Sequence, residues 1–474
     1  MVGSGPNGLV AAITLAQAGW RVTVLESAEF PGGGTRTAEV TLPGFRHDLC
    51  SSVHPLALAS PVLRRLLTDV VWRHAEVPLV HPQESGRELV QYRSVSETAA
   101  QFGRLASRWQ GIMGPLVRAA PGLVDIVLSP RAVPKTLPAA LGTFMATSLL
   151  PASSLMRLVG PDAGALLGGS AAHSALSLRS VGSTGAGLFL AMLAHHVGWP
   201  VAEGGSGAIS DSLVRHLVAS GGTVECSQPV SSLRQLPESD AVLLDLTPRQ
   251  VASIASSVLP TGYADRLRRY RYGPGVFKVD WALDGPVPWL GSAARSATTV
   301  HIGGSLEEIA SAEELALRGQ HAERPFVIFV QAGVADSRRA PSGKHTGWAY
   351  CHVPHGSTLD MSDAIERQVE RYAPGFRDLI LARSTSDSRA MEERNGNMVG
   401  GDILGGRTNL RQLLGRPTLS LRPWRTPVKG LYLCSSATPP GPGVHGMSGW
   451  HAARLVLQDL GGEPPRGPRL LASR

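Results

Sequence analysis

The chain is poor in cysteine and in charge, and both shortages narrow what it is. Its four cysteines, Cys50, Cys226, Cys351 and Cys434, lie far apart and form no CxxC pair. That excludes a disulfide framework and a dithiol redox centre, and it points to a reducing compartment. No run of 18 uncharged apolar residues reads as a spanning helix, and no secretory signal precedes the first motif, which begins at Gly3. The expected location is cytoplasmic, with a peripheral place at the inner membrane surface as the alternative. Net charge is +8, yet Lys and Arg form no dense block and do not interleave with aromatics, which argues against a nucleic-acid partner. Arg466, Arg469 and Arg474 are expected in a frayed tail. What remains is a globular composition, 43% hydrophobic over 474 residues, long enough for two or three lobes and a large buried cofactor. The 54 Gly and 35 Pro follow no period, so they mark tight turns and close backbone approaches.

The first of these turns carries chemistry. Gly3-Ser4-Gly5-Pro6-Asn7-Gly8 is a G-x-G-x-x-G run, followed by a helical pattern over 9–18, a stop at Gly19, and a β-rich stretch over 21–25 that ends at Glu26. Gly3 permits the tight turn, Gly5 lets backbone approach a pyrophosphate, and Gly8 allows close packing of helix on strand. Glu26, with Ser27 beside it, is placed to bind ribose hydroxyls, and an acid there disfavours a 2′-phosphate. A second glycine-rich turn at 31–37 (PGGGTRT) follows directly, with Gly33, Gly34, Thr35 and Arg36 placed to line a long dinucleotide. That favours FAD over NAD. Only Met1 and Val2 precede Gly3, where such motifs follow a full buried strand; the expectation is that the natural start lies upstream, because neighbouring ladders would otherwise stay unpaired.

With those residues in view, the chain resembles the FAD-dependent oxidoreductases of the phytoene dehydrogenase and carotenoid isomerase superfamily, which share the flavin fold of amine oxidases. Within it, the resemblance is to the subgroup that contains pyridine nucleotide-disulfide oxidoreductase domain-containing protein 2. Further carriers are 44–48 (GFRHD), 203–208 (EGGSGA), 348–354 (WAYCHVP), 372–376 (YAPGF), 400–403 (GGDI) and, most specifically, 431–449 (LYLCSSATPPGPGVHGMSG). The resemblance implies an α/β fold: a Rossmann-type FAD-binding domain, glutathione-reductase-like and amine-oxidase-like, assembled from 1–75, 196–255 and 415–474. An α+β substrate domain over 76–195 and 256–414 would complete it. It also implies a strand pair at 221–230, with Val230 contacting the adenine. Ser435, Val444, Gly446 and Met447 would lie in a flavin-facing strand, loop and helix start, where free N–H groups stabilise negative charge on a reduced flavin. Two departures stand out: Gly34 replaces an Arg common in the family, leaving Arg36 as the candidate phosphate contact, and Pro442 interrupts the glycine-rich late loop.

The apolar segment 111–160 has few charges and repeated prolines, including Pro115, Pro130, Pro134 and Pro138, so it reads as short helices. These form either a buried cap or a membrane-dipping entry for an apolar substrate. Catalytic candidates are His445, in the late loop, and Lys278, which resembles in position the flavin-side lysine of amine oxidases. The adjacent His195 and His196 point apart and make no metal pair, and His47-Asp48 is a polar pair near the flavin or a turn device. No second dinucleotide motif follows a strand, so electrons would leave to oxygen, a quinone or another acceptor. Three readings stay open: an FAD oxidoreductase on a polyene, isoprenoid or lipid-like substrate, an amine-oxidase-like enzyme using Lys278, and a scaffold in which FAD is structural.

Overall fold

The computed structural model describes residues 1–129 and 139–461. Pro130, Pro134 and Pro138, and the tail arginines Arg466, Arg469 and Arg474, lie outside the described residues.

Val2 is the centre of a parallel sheet. It bridges Leu25 on one side and Leu244 on the other. The strand Thr23–Leu25 continues to Thr223–Glu225, and Val242–Leu244 continues to Leu431–Leu433, all parallel. Four bonds lock the short central segment: Leu25 N–H to Met1 O, Gly3 N–H to Leu25 O, Val2 N–H to Leu243 O and Asp245 N–H to Val2 O, each 2.8–2.9 Å. The neighbouring strands are only three residues long, so this stub closes the ladders on both of its sides rather than leaving them open. Helix Pro6–Gln17 starts with proline at its first turn, as the fixed φ of proline favours, and buries Leu9, Val10, Ile13 and Leu15. Helix Met447–Leu460 lies against it so closely that a Cβ on Gly449 would sit 1.8 Å from Asn7 O. The strand pair implied at 221–230 is instead the single strand Thr223–Glu225, followed by a loop in which Ser227 takes φ 55°.

The second sheet has seven strands, in the order Ile380–Ser386, Gly275–Leu283, His345–Val353, Val327–Val330, Ala297–Ile302, Val77–Pro82 and Glu88–Gln91. Period-two alternation splits it into two faces. Val300, Val327, Phe329, Ala349 and Cys351 pack with Trp281 and Phe376 into one core. Thr299, Ile328, Val330, Trp348 and Tyr350 turn the opposite way, into a cavity.

Of helices Ala106–Arg118, Ala120–Leu128, Ala139–Ser148 and Ala152–Val159, the middle two line that cavity and the outer two pack in the core. Pro115 sits inside the first rather than ending it; packing of Trp109, Met113 and Leu116 outweighs the one lost backbone bond. Among the described residues no single helix is long and apolar enough to cross a membrane.

Candidate functional site

The first glycine turn folds around a carboxylate. Gly3 adopts φ +94°, open to glycine at little cost. A Cβ on Gly8 would stand 2.2 Å from Gly3 O, and one on Gly5 would stand 2.7 Å from Asp245 Oδ2. Gly8 N–H donates to that oxygen at 3.0 Å, so Gly8 packs beneath the turn and leaves the cavity wall to Gly3, Ser4, Gly5, Pro6 and Asn7. Glu26 Oε2 accepts from Ser4 N–H at 2.8 Å and Ser4 O–H at 2.6 Å, and its other oxygen accepts from Ala28 N–H at 2.9 Å. The carboxylate is thereby held at the cavity edge, with Ser27 and Val230 beside it.

The second turn presses onto the first, because a Cβ on Gly33 would lie 3.0 Å from Gly5 Cα. Gly33, Gly34, Thr35 and Arg36 line the wall there. Arg36 donates from Nε to Gly33 O at 3.0 Å and from Nη2 to Arg394 O at 2.9 Å. Burial lowers its pKa, with the Glu26 carboxylate opposing. Arg394 lines the same wall, and its Nη1 is buried without a partner. Two guanidinium groups thus converge where glycine turns and a helix N-terminus leave room for an anionic linker, which fits a diphosphate.

The late segment closes the opposite side through Ser436, Pro440, Pro442, Gly443, Val444 and His445. Three expected contacts lie elsewhere. Ser435 Oγ donates to Leu246 O at 2.8 Å and only its neighbour reaches the wall. Gly446, at φ +68°, caps helix Met447–Leu460 and, like Met447, does not line the cavity. The Met447 N–H is not free: it donates to His445 Nδ1 at 3.0 Å, while His445 Nε2 faces Gly441 O at 3.1 Å. An imidazole that accepts at one nitrogen and donates at the other is neutral, and burial lowers its pKa to about 4. His445 therefore organises the loop, through both ring nitrogens, rather than offering a charge.

Lys278 is buried, on the interior strand Gly275–Leu283, and paired with Asp280. Its ammonium sits 5.1 Å from the centre of the Trp348 ring, and Trp348, not Lys278, reaches the cavity. His47 Nδ1 stands 3.5 Å from Asp280. Asp48 binds Arg339 at 2.9 Å, Ser206 N–H at 2.7 Å and Thr37 O–H at 2.7 Å. That pair is a buried structural network.

All these walls enclose one cavity of about 1020 Å³, which runs from residues 3–7 past the 440–445 loop to an apolar chamber. Phe144, Met145, Leu149, Phe189, Leu190, Ile328, Leu410 and Leu413 line that chamber, and His173 and Trp199 add a polar corner. His173 Nε2 is 3.0 Å from His301 Nε2 deeper inside.

Residues 1–70 match the family model of the NAD(P)-binding Rossmann-like domain. Over 97% of its length the chain is 26% identical to pyridine nucleotide-disulfide oxidoreductase domain-containing protein 2 of Rattus norvegicus, of which it covers 93%. A 49-residue stretch, 10% of the chain and 9% of the relative, is 47% identical to the phytoene desaturase (neurosporene-forming) of Cereibacter sphaeroides. Among solved structures, putrescine oxidase bound to putrescine superposes with a TM-score of 0.60 at 18% identity, over 97% of this chain and 98% of that one. The fold is that of the amine-oxidase-like FAD oxidoreductases. A CLA-producing fatty acid isomerase from P. acnes shares it too, with a TM-score of 0.57, 14% identity and coverage of 96% and 97%. Together these similarities support FAD as the cofactor.

Sequence reasoning missed Asp245, Arg394 and Asn397. Asp245 ends an apolar run, 241–244, which is a strand-end signal of the same kind as Glu26. Asn397 joins the site by donating from Nδ2 to Asp245 O at 2.8 Å while its Oδ1 accepts from Thr247 N–H at 2.7 Å. No local pattern marks Arg394 or Asn397, which reach the site only through the fold.

Proposed function

We propose that this chain is an FAD-dependent oxidoreductase whose substrate is a polyene, isoprenoid or other lipid-like molecule, processed by hydride transfer or by flavin-assisted isomerisation. The observation that carries this reading is the division of labour along one cavity. Glu26, Arg36, Asp245 and Arg394 gather around the glycine turns, while Phe144, Met145, Leu149, Phe189, Leu190 and Leu413 wall the other end. Glu26 would hold the adenosine ribose, Arg36 and Arg394 would neutralise the diphosphate, and the 440–445 loop would close over the ring system. When bound, FAD supplies the hydride acceptor. The chain's own part is to orient an apolar substrate and exclude water from the reacting end. A desaturase of phytoene and an isomerase of a fatty acid, both named among the similar proteins, act on long unsaturated chains. Putrescine oxidase acts on a diamine, and here Lys278 stands behind Trp348, out of the cavity.

Met145, Leu149, Leu410 and Leu413 both line the chamber and reach the surface, so they mark its mouth; Leu150 and Leu414 widen the exposed apolar rim. We propose that this rim rests on a lipid surface from which the substrate enters. Anaerobic mixing of the FAD-loaded protein with a micellar polyene precursor, and separately with short amines, tests the substrate class. Loss of oxidised-flavin absorbance with the polyene, or an isomerised polyene recovered with the flavin still oxidised, is the expected result. Reduction by amines alone would overturn it.

A further inference from the structure

A buried carboxyl group stands at the glycine turns without a cation of its own. Asp245 follows strand Val242–Leu244, is 6% exposed and contributes to the cavity wall. Its Oδ2 accepts the Gly8 N–H at 3.0 Å and lies where a Cβ on Gly5 would approach to 2.7 Å. The backbone that a diphosphate must approach is therefore the backbone that this carboxyl already touches. No ion pair to Asp245 is formed among the described residues, in contrast to the buried Asp48 and Asp280, each of which has a basic partner. The groups around it explain why none is near. Helix Pro6–Gln17 carries no charged residue, and Asn397 offers a neutral amide to the backbone oxygen. Glu26 adds a like charge, and burial together with Asp245 pushes the Cys434 thiol up, the Met1 amine opposing. Arg36 and Arg394 belong to the second glycine turn and its neighbour, along the same wall. Burial raises the Asp245 pKa to about 7, the Gly8 N–H opposing and Glu26 adding to the rise.

We propose that Asp245 enters the cofactor complex as a neutral acid, so that binding of FAD draws one proton from solvent onto this carboxyl. The inference rests on the flavin reading above. Arg36 and Arg394 would meet the diphosphate from the second turn, whereas an ionised Asp245 would stand buried at the first turn with no cation of its own, where like charges at short range favour the protonated form. The diphosphate thus pushes the Asp245 titration upward from where it stands in the free protein. Linkage fixes the sign: FAD affinity is level below about pH 7 and falls above it, by up to about tenfold per pH unit, until the titration of the complex is reached.

FAD titrations of the wild type and of Asp245→Asn between pH 6 and 9, run in buffers of different ionisation heat, count the protons directly. Asn keeps an oxygen for the Gly8 N–H, so the turn is preserved, and the proton count on the wild type needs no variant. The expected result is uptake approaching one proton per FAD at pH 8 in the wild type, none in Asp245→Asn, and an affinity of the variant that stays level with pH. Wild-type binding with no proton uptake and no pH slope would overturn this inference alone, as would a variant with the wild-type slope. Failure of the wild type to bind FAD at any pH would overturn the flavin reading with it.

Discussion

Arg394 is half-buried on the cavity wall, and its Nη1 is buried without a hydrogen-bond partner. A charge-assisted hydrogen bond contributes about 1.5–3 kcal/mol, so Arg394→Ala is expected to weaken FAD binding by about 10- to 100-fold. Arg36 binds the backbone oxygen of residue 394, which alanine retains, so the fold and the second turn persist in the variant. Equilibrium dialysis against FAD, with a thermal melt as control, checks this; unchanged affinity would remove Arg394 from the diphosphate site. At this scale, the residues whose role comes from neighbours in sequence were legible: Gly3, Gly5, Glu26 and the 33–36 turn are local devices, and each lines the cavity. Met447 shows the limit. A helix start implies free N–H groups, but an imidazole two residues earlier occupies this one, a hydrogen bond that no propensity encodes.

Among elements, helix Pro6–Gln17 could be read over 9–17 from the glycines before it and its apolar run, the local determinants of a dinucleotide-binding turn, whereas its start at Pro6, inside the glycine run, emerged only from the structure. The seven-stranded sheet could not be read, because its order joins segments from residue 77 to residue 386; period two alone puts Lys278 and Asp280 on one face, but only pairing on both sides buries that strand. The strand at 275–283 reads as an edge or interior strand with equal ease until its two partners are known. The rim of the chamber is likewise a meeting of separate elements: Met145 and Leu149 come from one helix and its end, Leu413 and Leu414 from Leu410–Leu414. Replacing Leu149, Leu150, Leu413 and Leu414 by serine removes exposed apolar area with little cost to the core. Co-flotation with anionic vesicles is expected to fall by at least about tenfold while FAD binding is unchanged. Equal flotation of both proteins would assign the rim another role.

For the whole molecule, the decisive feature is that the two ends of the described chain meet. Gly449 against Asn7, and Val444 with Gly5 in one cavity wall, place the first and last functional segments on a single extended site. Helix and strand patterns set the type of each piece, whereas the meeting of residues 3–8, 245, 394–397 and 440–445 is a property of the closed fold. An extended site of that kind needs both halves of its ligand: ribose and diphosphate at the turns, a ring system under the late loop. Equilibrium titration of the protein with FAD and, in parallel, with FMN, which lacks the adenosine half, tests this most directly. The account predicts one FAD per chain and FMN binding weaker by at least about a hundredfold, since the adenosine ribose and second phosphate contacts are lost. Equal binding of the two, or no binding of FAD, would contradict it.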